Sequence, residues 1–232
     1  MRYLISLLTY NEIENLPIIT KEIFEVAPDV DILVVDDNSP DGTSDWAAEQ
    51  MQTEPRLKLI KRASKQGLGT ATLAAMNYAI ENEYDYLINL DADISHPPRY
   101  IPELRKKAEE GVDVVIGSRY TKGGKIEGWS LIRRLMSKAI NFYARTILGL
   151  KTKDNSGSFR CYKTDKLKTL DHKKIVSKGY AFLEEVLYRL KKQKATFAEV
   201  PITFVERKYG KSKINKKEAI TALCNILYIR IM

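Results

Sequence analysis

Two cysteines in 232 residues, Cys161 and Cys224, are too few and too far apart for a disulfide framework or a zinc site. Histidine is as scarce, with only His96 and His172, which argues against a Cys/His metal cage. No apolar run approaches the ~20 residues a bilayer span requires; near the end, the longest charge-free stretch, Ala219 to Ile229, has eleven. Repeats and low-complexity linkers are absent. The opening "MRYLISLLTYNEIEN" is apolar for about six residues and then turns acidic, so it reads as a first strand and not as a signal peptide. A cytosolic, reducing setting is the expectation that follows.

What is present is a chain with 44% hydrophobic residues, enough for one sizeable core without staples. A catalytic-sized domain is expected over residues 1–215, followed by an apolar terminal helix over 216–232. The formal net charge is +8, with 38 Lys and Arg against 30 Asp and Glu, and the excess lies mainly between Arg133 and Lys217. Such a field favours anionic partners: phosphates, an acidic membrane surface or nucleic acid.

The first half alternates. Short apolar runs ("YLISLL", "DILVVDD", "LKLIKR", "YDYLINL", "VDVVIGSR") are separated by stretches with helical spacing, for example Leu16, Ile19 and Ile23. This order predicts an α/β fold with a mostly parallel central sheet and helices on both faces. The second half is less regular. Residues 130–150 form a long amphipathic helix, "DNSGSFRCY" reads as a turn-rich loop, and "GYAFLEEVLYRLKKQ" is a helix. "TFAEVPITFVER" is a strand pair or a bent strand, "KYGKSKINKKE" a basic loop, and the chain closes on an apolar helix.

"LINLDADISHPP" carries the chemistry. Ligands of open parallel sheets bind beyond the carboxyl ends of the strands, where Asp91 and Asp93 fall. Two carboxylates one residue apart on extended backbone share a side and repel. A hard divalent cation such as Mg2+ or Mn2+ relieves that conflict, because it takes one or two carboxylates and shares its other positions with substrate phosphates. "KQGLGTATLAA" places Gly67 and Gly69 between a strand and a helix, but Thr72 stands where a dinucleotide fingerprint needs a small residue. Those glycines are expected to let backbone N–H groups approach a nucleotide.

Taken in order, "TYNE", "VVDDNSPDGT", "KQGLGTA", "DADISHPP" and "GSRY" resemble the family 2 glycosyltransferases of GT-A fold. "GWSLIRRLMS", "DNSGSFRCY", "KGYAFLEE" and "FVERKYGKSK" are similar to the polyprenol-phosphate (dolichol-phosphate) mannosyltransferases among them, and the resemblance runs from about Tyr3 to Lys213. It implies that Leu8, Tyr10, Glu12, Val35 and Asp37 hold the nucleoside, and that Asp91, Ala92 and Asp93 face the sugar diphosphate. Arg119, Lys178, Arg207 and Lys213 are implied on the same donor side. Asp91, Asp93 and Ser95 would carry Mg2+ or Mn2+. Arg119, Arg133 and Ser137 would bind the phosphate of a polyprenyl or dolichyl acceptor, Arg133 and Ser137 sharing a helix face. Asp91, Asp93, Arg119 and Arg133 form the implied catalytic set. Two positions depart from the family: Leu8, where proline is common, and Ser95, where many relatives have glutamine.

The implied reaction is inverting transfer of mannose from GDP-mannose to a lipid phosphate, with UDP-glucose as the alternative donor. No strong general base is needed, because the acceptor is already anionic. A cytoplasmic enzyme lying peripherally on the inner membrane face is expected, with a membrane-spanning partner subunit as an option. In the amphipathic helix, Leu131, Leu135, Met136 and Phe142 supply apolar area, and Arg134, Lys138, Asn141 and Arg145 a polar, basic stripe. A non-catalytic nucleic-acid binder would share the +8 charge, but its acidic strand-end loops would repel a phosphate backbone.

Overall fold

The computed structural model describes residues 1–177, 179, 181–207 and 216–231, the stretch 216–220 by its backbone only. Five strands with four helices between them build the first half: β1 (Tyr3–Thr9), α1 (Leu16–Val26), β2 (Asp31–Asp36), α2 (Thr43–Gln50), β3 (Leu57–Lys61), α3 (Leu68–Glu81), β4 (Tyr86–Asp91), α4 (Ile101–Glu109) and β5 (Val114–Ser118). The second half adds β6 (Lys125–Glu127), α5 (Leu131–Leu148), β7 (Arg160–Lys163), α6 (Thr164–Lys168), α7 (Phe182–Lys192), β8 (Phe197–Pro201), β9 (Thr203–Val205) and α8 (Lys216–Ile231). Strands line up as β3-β2-β1-β4-β7-β5-β8, and β6 pairs with β9 in a small second sheet. Within the large sheet every pairing is parallel except those of β7, which runs antiparallel between β4 and β5.

Period-two alternation decides which side chain enters which core. Leu4, Leu33, Val35 and Leu87 face one side, packed with Ala75, Met76, Phe182 and Leu187 of α3 and α7. Ile5, Leu7, Ile32, Val34 and Ile88 face the other, against Leu16, Ile19 and Ile23 of α1 and Leu104 of α4. The strands are therefore buried on both faces, as expected of a parallel sheet.

Three sequence expectations change. "DNSGSFRCY" is a loop only to Phe159; Arg160–Lys163 is a central strand, held by ladder bonds on both sides. Gly69 does not face a nucleotide: a Cβ there would stand 2.8 Å from the Phe182 ring, so glycine lets α3 close onto α7. Asn141 is not on the solvated stripe of α5 but buried, with its side chain bonded into the 155–156 turn. The basic loop "KYGKSKINKKE" lies largely outside the described residues.

Candidate active site

Parallel register puts the strand ends level: Leu8 lies beside Val35 of β2 and beside Asp91 of β4. The loops leaving those strands carry the nucleoside candidates. Asp36 is fully buried and accepts from the Thr9 hydroxyl at 2.8 Å and from the Ser39 N–H and hydroxyl at 2.8 and 2.6 Å, which clamps the ends of β1 and β2 together. Asp37 receives the Arg62 guanidinium at 2.6 Å. Burial raises the Asp37 pKa against the pull of Arg62. Glu12 is buried and accepts from Asn15 Nδ2 at 2.8 Å, and Lys65 stands over the Tyr10 ring at 4.4 Å. Asn11 and Asn38 have φ of +58° and +59°, turning the chain sharply at both strand ends.

Beyond β4 the two carboxylates have different surroundings. Asp91 is partly open, with 38% of its side chain accessible. One of its oxygens accepts from the Ser158 hydroxyl at 2.7 Å, and the other lies 3.5 Å from Nδ1 of buried His96. Asp93 is buried; Oδ1 accepts from Ser95 N–H at 3.1 Å and Oδ2 pairs with Arg207 at 2.9 Å. Between them and Ser95 the chain bends at Ile94, a β-branched residue at φ +61°. Such backbone strain persists where surroundings over-determine it, and here the His96 ring, wedged against Phe159 and Phe204, and the Pro97-Pro98 pair do so. The firmness of "DADISHPP" is thus the means of holding the carboxylates.

The donor set fits a Mg2+ or Mn2+ ion shared with a diphosphate. Among the described residues no three His, Cys, Asp or Glu side chains close a cage. The Arg207 guanidinium stands on Asp93 as an internal cation, and the buried Ser95 Oγ has no hydrogen-bond partner among the described residues.

Arg119, at the end of β5, is buried, and its fork is engaged within the protein. Nε and Nη2 donate to Asp154 at 2.7 and 2.6 Å, and Nη2 also reaches the Ser156 hydroxyl at 3.0 Å. The two-oxygen partner of this fork is Asp154, and what remains for a ligand is Nη1. Burial alone would lower the Arg119 pKa; the Asp154 charge outweighs it and drives the pKa well above the usual guanidinium value. Tyr120 donates to the Ser137 hydroxyl at 2.7 Å, and Asn141 donates to Ser156 at 3.0 Å, so α5 is tied to the segment leaving β5 and to the loop before β7. Arg133, half-exposed on the first turn of α5, pairs with Glu206 and stands 4.1 Å over the Trp129 ring. Arg119, Arg133 and Ser137 are thus brought to one side. Lys178 and Lys213 lie outside the described residues.

Asp154, Ser158, His96, Trp129 and Glu206 belong to this site and were given no role from sequence. Asp154 and Ser158 stand in the "DNSGS" run, which the sequence marks as part of the resemblance without giving either residue a role, and the structure buries both.

Residues 5–171 match the family described as Glycosyl transferase family 2. The chain is 41% identical over 226 residues to the undecaprenyl-phosphate mannosyltransferase of Micrococcus luteus, covering 97% of this chain and 93% of that one. It is 40% identical over 215 residues to the polyprenol monophosphomannose synthase of Mycolicibacterium smegmatis, covering 92% and 81%. Among solved structures, it resembles glucosyl-3-phosphoglycerate synthase from Mycobacterium tuberculosis in complex with Mn2+, UDP and glucosyl-3-phosphoglycerate, with a TM-score of 0.68, 18% identity and coverage of 98% and 80%. A mannosyltransferase from Pyrobaculum calidifontis in complex with GDP-Man and Mn2+ gives a TM-score of 0.58 at 15% identity, covering 98% and 69%. At such identities the structures speak to the fold, and the GT-A architecture expected from the motifs is borne out.

Proposed function

The chain belongs to glycosyl transferase family 2, and from that premise we propose that it transfers mannose from GDP-mannose to the phosphate of a polyprenyl phosphate, with inversion, at a membrane surface. One observation carries this reading. Arg133 and Ser137 sit on α5, and the same helix exposes Leu131, Ile132, Leu135, Met136 and Phe142. A phosphate-seeking cation on a helix with an exposed apolar face suits an acceptor that is an anion on an apolar tail. Mannose as the sugar rests on the names of the two relatives.

Asp91 and Asp93, with the Ser95 hydroxyl, would hold Mg2+ or Mn2+, which when bound supplies charge neutralisation for the leaving diphosphate. The chain's own residues do the rest. Leu8, Tyr10, Glu12, Val35 and Asp37 hold the nucleoside, with Asp37 and Glu12 as acceptors for its hydroxyl and ring N–H groups. Arg207, which pairs with Asp93 at 2.9 Å, would offer its guanidinium to the diphosphate. Arg133 orients the acceptor phosphate, and Arg119 lends positive charge from its fixed seat on Asp154. No side chain needs to remove a proton, since the attacking phosphate oxygen is already anionic.

α5 has three faces. Ala144, Asn141 and Leu148 are buried, Lys138 and Arg145 are exposed at one edge, and the apolar group is exposed at the other. α8, packed beside it, exposes Leu227, Tyr228 and Ile231. No helix among the described residues is long and apolar enough to cross a membrane. We therefore assign peripheral attachment to an anionic leaflet, on the cytoplasmic side, a setting that also fits the two free cysteines.

The test is transfer of labelled sugar to polyprenyl phosphate from GDP-mannose and from UDP-glucose in parallel. Mannosyl lipid from GDP-mannose, abolished by Asp93→Ala with the fold intact, is expected. Glucosyl lipid alone would replace mannose in the reading, and near-normal turnover by Asp93→Ala would remove the carboxylate assignment.

A further inference from the structure

Trp129 joins the small sheet to α5. Its ring meets Phe204 edge-on at 5.1 Å, with Arg133 at 4.1 Å and Arg119 at 5.6 Å. Its Nε1 is buried and has no hydrogen-bond partner among the described residues. A buried N–H without an acceptor costs about 1–3 kcal/mol, which a ligand that brings an acceptor recovers. The cations nearest the ring are Arg133 and Arg119, whose guanidinium groups only donate and so offer this N–H no acceptor. An anionic oxygen drawn in by Arg133 is the acceptor that suits it.

One anion is already near. Glu206 pairs with Arg133, and its N–H donates to the Glu127 carbonyl at 3.1 Å, fixing it beside the segment that leads into Trp129. Gly128 has φ +85°, and a Cβ there would stand 2.6 Å from the Glu206 Cβ, so this approach depends on glycine. The next residue, Arg207, bonds Asp93. Two consecutive side chains thus neutralise opposite halves of the site, a carboxylate on the acceptor-side arginine and a guanidinium on the donor-side carboxylate.

We infer that Arg133 and the Trp129 indole N–H form one seat for a phosphate monoester, and that Glu206 occupies the arginine half of that seat until phosphate displaces it. The inference rests on the acceptor being a lipid phosphate, and it adds Trp129 as a positioning donor and Glu206 as an internal competitor. Arg133 and Glu206 are both partly solvated, so their pairing is weak enough to yield to a dianion.

The chain has two tryptophans, so in Trp46→Phe the remaining emission reports Trp129. Farnesyl phosphate, inorganic phosphate and farnesol are titrated in turn. The emission should respond to farnesyl phosphate and not to farnesol. A response to inorganic phosphate as well makes the seat one for phosphate in general, and its absence assigns the seat to lipid phosphate. Adding Glu206→Gln should tighten phosphate binding by about two- to fivefold, the usual worth of such a pair. In the otherwise intact enzyme, Trp129→Phe should raise KM for the lipid acceptor about tenfold or more, as for loss of a bond to a charged group, with KM for GDP-mannose unchanged. An equal response to farnesol, a Glu206→Gln affinity that is unchanged or weaker, or a donor KM that rises with the acceptor KM would overturn the seat. The emission arm needs no turnover: phosphate binding at Trp129 without mannosyl transfer would sink the proposed reaction and leave the seat standing.

Discussion

Replacing Asp154 with Asn tests the buried centre of the site. Asp154 is fully buried and accepts four bonds on two oxygens, from Arg119 N–H, Nε and Nη2 and from Gly157 N–H. The amide keeps one acceptor oxygen, turns an NH2 toward donors, and leaves the Arg119 charge buried without its counter-ion. Breaking one half of a buried pair costs about 3–5 kcal/mol. That is a large share of the ~5–15 kcal/mol a domain has in total. At about 2–4 °C per kcal/mol for a chain of this size, the midpoint of thermal unfolding should fall by about 6–20 °C. Arg119→Met in the same chain removes the stranded charge and should restore about 2 kcal/mol relative to Asp154→Asn alone. The pH dependence has a fixed sign. Burial works to raise the Asp154 pKa, but the Arg119 charge and hydrogen bonds outweigh it and hold it below the usual carboxylate range. Its contribution is therefore complete above about pH 4 and lost as pH falls through the depressed value; the Asn variant should lack that acid limb. Urea unfolding at pH 7 and across pH 2–5 measures both. A loss under about 1 kcal/mol, or a cycle with coupling within about 0.5 kcal/mol of zero, would refute the reasoning.

Glu184 predicts the opposite pH trend. Burial pushes its pKa up to about 7 against the pull of Arg160, and Oε2 has no hydrogen-bond partner among the described residues. With the folded value raised, stability is full below about pH 4 and is lost as pH rises through 7, so Glu184→Gln should stabilise at pH 8 by on the order of 1–3 kcal/mol and change little at pH 4. Identical urea midpoints for both chains at pH 8 would show that the buried carboxylate is better paired than its geometry indicates. For the membrane, flotation with anionic vesicles at low salt should carry the protein up, high salt or neutral lipid should release it, and Leu131→Glu with Leu135→Glu should abolish binding. Wild-type protein staying with the soluble fraction on anionic vesicles at low salt would remove direct docking.

The alternation of the first half was legible because each strand there is an apolar run of five or six residues with a helix of strong period behind it. β7 was not. Four residues, "RCYK", directly after a glycine-serine turn carry no strand signal of their own, and the strand exists because β4 and β5 each present an unpaired edge to it. Arg160 makes the same point: it is fully buried and bonds the carbonyls of Leu183 and Asn155, partners that only tertiary structure supplies. At the site, Asp91, Asp93 and the acceptor-side arginines were recognisable as motif residues. That Arg119 is held by Asp154, and Asp91 by Ser158, was hidden because each pair lies some 35 to 67 residues apart in the chain. Asn141 was misread for a related reason, since helical spacing tells which residues share a face but not which face meets the core.

The position of β7 has a consequence for biosynthesis. On the ribosome, β4 and β5 leave the exit tunnel well before the strand that must lie between them, which begins only at Arg160. At about 5–20 residues per second, the roughly 40 residues after Ser118 take about 2–8 s to make. For that interval the nascent chain holds the four strands β3-β2-β1-β4 and a lone β5, with bare apolar edges, the kind of edge that pairs with strangers. Commitment to the finished fold is therefore set by translation past Lys163, and slow codons or a pause between 119 and 159 would lengthen the interval in which a chaperone must shield it.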